Sequence, residues 1–225
     1  MRSSASCRKA AKTLSKRTTN KPLHVVGIGG TVRPRSSSEE ALRLTLRHVE
    51  REGATTRVFA GDELAQLPMY SPEREFRSPV ARELVAHLRE ADAVIVSSPG
   101  YHGSISGMVK NALDYTEDMR EDSRPYLADR AVGLLVTAYG WQASVTTLEA
   151  LRSIVHALRG WVTPYGATIN SSQCRFLNGC CSDVKVEEQL ALVGTEVTRF
   201  AKMIRMEDRI STRETNLFQA AVASR

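Results

Sequence analysis

Apolar residues along the chain fall into short blocks separated by polar, Gly- and Pro-marked segments. The first block, Leu23–Ile28, is compact and β-branched, which predicts a buried strand that runs into the turn glycines Gly29 and Gly30. Ser38–Arg51 carries Leu42, Leu46 and Val49 at helical spacing and stops before Gly53. Thr55–Ala60 predicts a second strand, and Gly61–Ser78, with Pro68 and Pro72, a loop with at most a short turn. Pro79 opens a helix whose apolar side holds Val80, Leu84, Val85 and Leu88.

The alternation continues. Ala91–Ser98 predicts a strand, Pro99–Gly107 a Gly-rich loop, Met108–Met119 a helix and Arg120–Arg130 a charged connector. Ala131–Tyr139 predicts a strand, Gly140–Ala143 a third loop and Ser144–Leu158 a helix. Trp161–Asn170 predicts a last strand, interrupted by Pro164 and Gly166. A polar loop, Ser171–Asp183, leads to a final helix over Val184–Ile204. Residues 205–225 are expected to be a tail that docks on a partner subunit. Five strands alternating with five helices imply an α/β fold, a parallel sheet covered on both faces with right-handed crossovers. Such sheets bind ligands beyond the carboxyl ends of the strands, where the strand order switches. The loops after the first, third and fourth strands are the Gly-rich ones, and topology brings them to that edge.

Composition narrows the partners. With 42% hydrophobic and 25% charged residues, the 225-residue chain is ordinary for a soluble globular domain. No apolar run is long enough to span a bilayer, so no membrane partner is expected. The net charge of +6 is misleading, because Arg2, Arg8, Lys9, Lys12, Lys16, Arg17 and Lys21 sit in an acid-free stretch. Without those seven cations the body carries −1, which removes the footing for nucleic-acid binding. Residues 1–21 read as a basic, unstructured arm on a cytoplasmic protein, followed by a domain over 22–204. The cysteines, Cys7, Cys174, Cys180 and Cys181, fit reduced thiols better than a disulfide framework. The last three follow the fifth strand; packing as small apolar fillers, metal ligation and redox exchange are the readings open to them.

The candidate chemistry starts at Gly27–Ser38. Glycines permit a close turn, the helix start offers free amides, and Arg33 and Arg35 add forked donors, so the stretch suits an anion. A dinucleotide fingerprint is incomplete, because its third glycine position is Val32, and the lysine of a triphosphate loop is missing. What remains suits a monophosphate; the plainer alternative is a solvated turn before a capped helix.

Thr31-Val32-Arg33-Pro34-Arg35-Ser36 and Pro99-Gly100-Tyr101-His102-Gly103-Ser104 through Lys110-Asn111 together resemble the paired motifs of the NAD(P)H-dependent FMN reductase family. The resemblance covers about residues 23–204 in element order. It implies a flavodoxin-like three-layer sandwich with a five-stranded parallel sheet in the order 2-1-3-4-5. It implies that Thr31, Arg33 and Ser36 hold an FMN phosphate, with Ser37 helping through its amide and Ser38 standing where relatives often have Asn. Pro99, Gly100, Tyr101, His102, Gly103 and Ser104 would wrap the flavin ring, and Gly140 and Trp141 would line its edge. Many relatives have Glu at the place of Gly100. His102 reads either as a proton donor or as a loop residue whose backbone matters. Trp141 reads either as a substrate stacker or as an interface residue, and Lys110 and Asn111 as loop stabilisers.

The resemblance further implies FMN as cofactor, with NADPH or NADH as cosubstrate, in an oxidoreductase acting on free flavin or a quinone, azo or nitro acceptor. Hydride transfer would belong to the cofactor, with no catalytic side chain and no metal. A homodimer or homotetramer is implied as well. The competing function is a flavodoxin-like electron carrier without enzymatic activity.

Overall fold

The computed structural model describes residues 21–177 and 179–223. Strand β1 (His24–Gly29) leads through the first loop to helix α1 (Ser37–Arg51). Strand β2 (Thr55–Ala60) is followed by the single turn α2 (Gly61–Ala65), and helix α3 (Pro79–Glu90) by strand β3 (Ala93–Tyr101). A two-residue strand β4 (Ser104–Ile105) precedes helix α4 (Gly107–Asp114) and a 3-10 turn over Tyr115–Met119. Then come β5 (Ala131–Ala138), α5 (Trp141–Ala157) and β6 (Trp161–Asn170). A hairpin of β7 (Phe176–Leu177) and β8 (Cys180–Cys181) leads into α6 (Val184–Ala223).

The long strands pair in the order β2-β1-β3-β5-β6, all parallel. This is the predicted 2-1-3-4-5 order, counting only the five long strands. Side-chain alternation explains the three layers. Val26, Ile28, Val94 and Val96 point to one face, where they pack with Leu84 and Leu88 of α3, Val109 of α4 and Leu151 of α5. Their neighbours Val25 and Ile95 point to the other, against Leu42 and Leu46 of α1 and Val193 and Val197 of α6. Both faces of the central strands are therefore apolar, which is why these strands read as continuous hydrophobic runs.

Four elements depart from the sequence expectation. Strand β3 does not stop at Ser98: it pairs with β5 through Pro99 and then folds back on β4, so Pro99–Gly107 is largely a hairpin rather than a loop. Helix α5 starts at Trp141, so the third loop shrinks to Tyr139 and Gly140. The polar loop after β6 contains the β7–β8 hairpin. Helix α6 continues through position 204 without a break. Arg205, placed by the sequence reading in a separate tail, donates Nε to Asp92 Oδ1 at 2.9 Å and Nη2 to the Pro22 carbonyl at 3.1 Å. Asp92 is buried at the start of β3 and also accepts the His24 amide at 2.8 Å. The basic arm lies outside the described residues up to position 20, as does Cys7.

Candidate functional site

The site begins where β1 and β3 part company from their outer neighbours, at the switch in strand order. Gly29 ends β1 beside Ser97 of β3, and a side chain on Gly29 would collide with the Ser97 backbone carbonyl. Gly30 adopts φ +90°, a left-handed conformation that turns the chain off the sheet. Thr31 Oγ1 accepts the Arg33 amide at 3.1 Å and fixes the next turn. Arg35 takes a left-handed φ of +56°, and its Nε donates to Glu40 at 3.1 Å. Ser36 caps α1, its Oγ accepting the Glu39 amide at 3.3 Å. Among the described residues, no partner is found for the Ser37 and Ser38 amides or for the Arg33 guanidinium. Two free amides at a helix start, with an exposed arginine five or fewer residues before them, form an anion cradle. The acids of the first turn do not cancel it, because Glu39 is paired with Arg43 and Glu40 with Arg35.

Buried hydrogen bonds tie this loop to the second one. Gly30 N donates to Ser97 O at 3.3 Å, and Ser97 Oγ donates to Ser38 O at 2.7 Å. Ser98 Oγ, next on β3, accepts the Ser106 amide at 3.0 Å and closes the base of the β3–β4 hairpin. At its tip His102 and Gly103 have φ +51° and +85°, the two left-handed residues of a primed two-residue turn. Tyr101 and Ser104 face each other just below, both exposed. Gly100 joins this hairpin to the third loop. A Cβ there would lie 2.8 Å from Thr147 Oγ1, 3.1 Å from Ala138 Cβ and 3.3 Å from the Ala143 carbonyl. Gly100 is thus seated against the end of β5 and the first turns of α5, where Gly140 is the cap and Trp141 the first residue.

The structure accordingly places Thr31, Arg33 and Ser36 on one loop, Ser37 and Ser38 on the first turn of α1 that it leads into, and Pro99 to Ser104 on the adjoining strand end and hairpin. Gly140 and Trp141 stand beyond them, on the same carboxyl edge. His102 owes its place to backbone conformation. Asn111 is buried and acts as a clamp: its Oδ1 accepts the Tyr70 amide at 2.8 Å, and its Nδ2 donates to Pro68 O at 3.0 Å. Lys110 pairs with Asp114 on its own helix.

The clamp organises a wall that sequence reasoning missed. Tyr115 Oη donates to Pro68 O at 2.9 Å, and Arg77 grips Asp118 at 2.7 Å while lying over the Tyr70 ring. Burial raises the pKa of Tyr70 and of Tyr115, so both stay neutral phenols. The fixed segment after α2 exposes Met69 and Phe76, while Tyr139 after β5 is 83% exposed. Val32, Tyr101 and Trp141, on the segments that end or follow β1, β3 and β5, are likewise large apolar side chains in solvent. No local signal in the sequence reports this wall, because the contacts that fix it come from residues some forty positions away.

Free amides and an exposed arginine at the first β–α junction, on the carboxyl edge where the strand order switches, define a doubly wound α/β protein of the kind that takes ligands at that edge. A model of the NADPH-dependent FMN reductase family matches residues 23–173. Over 91 residues the chain is 30% identical to an NADPH azoreductase of Bacillus sp. (strain OY1-2), a match that spans 40% of this chain and 48% of that one. Over 142 residues it is 28% identical to the FMN-dependent NADPH-azoreductase of Staphylococcus aureus (strain USA300), 60% of this chain and 70% of that one. Among solved structures, the flavoenzyme NAD(P)H:(acceptor) oxidoreductase FerB from Paracoccus denitrificans superposes with a TM-score of 0.64 at 18% identity. That superposition covers 82% of this chain and 98% of that one. The chain belongs to the NADPH-dependent FMN reductase family, whose cofactor is FMN and whose reductant is NADPH. The residues present fit an FMN phosphate in their chemistry: the unpartnered Ser37 and Ser38 amides and Arg33 are donors of the kind a dianion takes. No helix among the described residues is long and apolar enough to cross a membrane.

Proposed function

We propose that this protein is an FMN-dependent NAD(P)H oxidoreductase acting on a planar acceptor such as free flavin, a quinone, an azo dye or a nitroaromatic compound. The observation that carries the reading is the pair of free amides at the start of α1, preceded in the same loop by an uncommitted, exposed Arg33. Thr31, Arg33 and Ser36, with the Ser37 and Ser38 amides, would hold the FMN phosphate. The backbone of Pro99 to Ser104 and the Tyr101 ring would position the isoalloxazine ring, and Gly140 and Trp141 would border it. FMN, when bound, supplies the hydride chemistry. The protein's share is orientation: the hairpin tip offers backbone amides, and Tyr101 and Trp141 offer flat apolar surface for the ring and for an incoming aromatic substrate. No side chain need donate a proton, so His102 is read as a turn residue.

The near-neutral body, at −1 outside the basic arm, favours an enzyme over an electron carrier that docks by charge. We assign the protein to the cytoplasm as a homodimer or homotetramer, in which the exposed apolar side chains would meet a second copy.

The test is a titration of apoprotein with FMN, followed by NADPH or NADH under nitrogen. Rapid bleaching of bound flavin is expected; stable colour with either nucleotide would indicate a carrier. Arg33→Ala should weaken FMN binding by about 1.5–3 kcal/mol, the worth of a charged hydrogen bond. That is roughly ten- to hundredfold in Kd. Unchanged affinity would remove the phosphate assignment.

A further inference from the structure

The thiols after β6 are arranged more specifically than fillers need. Cys174 is buried in the core face shared by α1 and α6, on a turn whose amide donates to Asn170 O at 3.0 Å. Cys181 lies on β8, seven positions on, and its Sγ is 3.0 Å from Cys174 Sγ. The backbone beside both sulfurs is already fixed. Arg175 N donates to Ser182 Oγ at 2.9 Å, and Ser182 N returns to Arg175 O at 2.8 Å. The ladder pairs Phe176 with Cys181 and Leu177 with Cys180. Consecutive strand residues face opposite ways, so Cys181 turns inward to Cys174 while Cys180 is exposed. From outside, the Arg47 guanidinium of α1 donates to the Gly179 carbonyl at the hairpin turn. A disulfide needs about 2.05 Å between sulfurs, so closure asks for a shift of roughly 1 Å in a frame that hydrogen bonds hold in place.

We propose that Cys174 and Cys181 are a redox-modification site that a peroxide converts to a reversible intrachain disulfide. The thiolate of Cys181 attacks one peroxide oxygen, giving a sulfenic acid and releasing hydroxide. The Cys174 sulfur then attacks the Cys181 sulfur, the S–O bond breaks, and the Cys174 proton leaves with the departing hydroxide as water. In sum, two thiols and one hydrogen peroxide give one disulfide and two waters. The division of labour follows from the surroundings: burial and the neighbouring Cys181 push the Cys174 thiol up to about 12, so it is protonated at neutral pH and resolves rather than initiates. Cys180, on the opposite face, takes no part. The bridge would join the segment leaving β6 to the segment entering α6.

The experiment treats the full chain with hydrogen peroxide, denatures it in N-ethylmaleimide and maps the peptides by mass. The expected product is a Cys174–Cys181 link that dithiothreitol reverses, with Cys180 alkylated. Cys180→Ser should keep the link, Cys181→Ser should lose it, and Cys174→Ser should leave a dimedone-reactive sulfenic acid on Cys181. The wild-type map needs no variant and stands alone if a substitution prevents folding. Alkylated Cys174 after peroxide has oxidised Cys180, or a disulfide through Cys180 to another chain, would overturn the assignment.

Discussion

Replacing Gly100 by alanine tests how the β3–β4 hairpin is seated. The added methyl would come within 2.8 Å of Thr147 Oγ1, with Ala138 Cβ at 3.1 Å and the Ala143 carbonyl at 3.3 Å behind it. Thr147 is fully buried on α5, so its hydroxyl cannot swing into solvent. Carbon atoms in contact rest near 3.5–4.0 Å, so either the hairpin lifts or the first turns of α5 shift outward. Overpacking of this kind costs about 1–3 kcal/mol, and a domain of this size loses about 2–4 °C of Tm per kcal/mol. The nearest atom can be deleted without touching the backbone. Thr147→Ala removes Oγ1, whose own bond to the Ser104 carbonyl is long at 3.4 Å, so that change alone should cost about 1 kcal/mol or less. The double variant should recover about half of the Gly100→Ala loss, a coupling of about 0.5–1.5 kcal/mol. Urea melts followed by circular dichroism give the stabilities, and FMN titration should show affinity falling and recovering in parallel. Strict additivity of the two changes would refute the seating of Gly100 on Thr147.

The remaining predictions concern the supports of the site and of the fold. Asn111→Ala should leave the Tyr70 amide without its acceptor and cost about 1–3 kcal/mol; increased proteolysis between Leu67 and Ser78 would locate the effect, and a melt unchanged from wild type would contradict the clamp. Arg205→Ala should destabilise by about 3 kcal/mol, at the low end for breaking a buried ion pair because Asp92 keeps the His24 amide; a chain ending at Ile204 should show the same loss in chemical denaturation. The pKa of His24 is lowered, first by burial and then by His87, whose Nδ1 is 3.1 Å from His24 Nε2. The unfolded chain then binds the extra proton, so this contribution is present above about pH 6.5 and is lost as pH falls below it. Tm should drop between pH 7 and 5.5, and His24→Gln should flatten that slope; an unchanged slope would assign it elsewhere.

The five long strands and their order were legible because buried parallel strands leave uninterrupted apolar runs, as in Ala93–Val96 and Ala131–Val136. The first loop was legible because a strand, a glycine turn and a hydroxyl-bearing helix start are encoded locally. The β3–β4 hairpin was less so. Pro99 and Gly100 read as breakers, yet Pro99 sits at the last rung of the β3–β5 ladder and Gly100 is needed for space rather than for a turn. Trp141 was read into a loop because neither Gly140 nor the residues after it carry a side-chain cap. The Met69 and Phe76 wall depends on contacts with α4 and the turn after it, some forty positions away, which no local pattern reports. The long reach of α6 was hidden because its later residues show no strong apolar stripe, and Arg205 is anchored by a partner 113 positions earlier. The Asn-Gly pair at 178–179 is itself a hairpin signal in the sequence.

Strand β3 has one further consequence. The same strand begins beside the Asp92–Arg205 tie, crosses the middle of the sheet and ends as one arm of the site hairpin, with no linker between. Deleting a single residue within Ala93–Val96 would therefore exchange the two faces of the rest of the strand, turning the Ser97 hydroxyl and the Tyr101 ring to the wrong sides. The His102-Gly103 tip carries no such burden, because added residues there lengthen a solvent-exposed turn and leave the register intact. A change of length is thus tolerated at the tip, whereas the strand accepts only substitution.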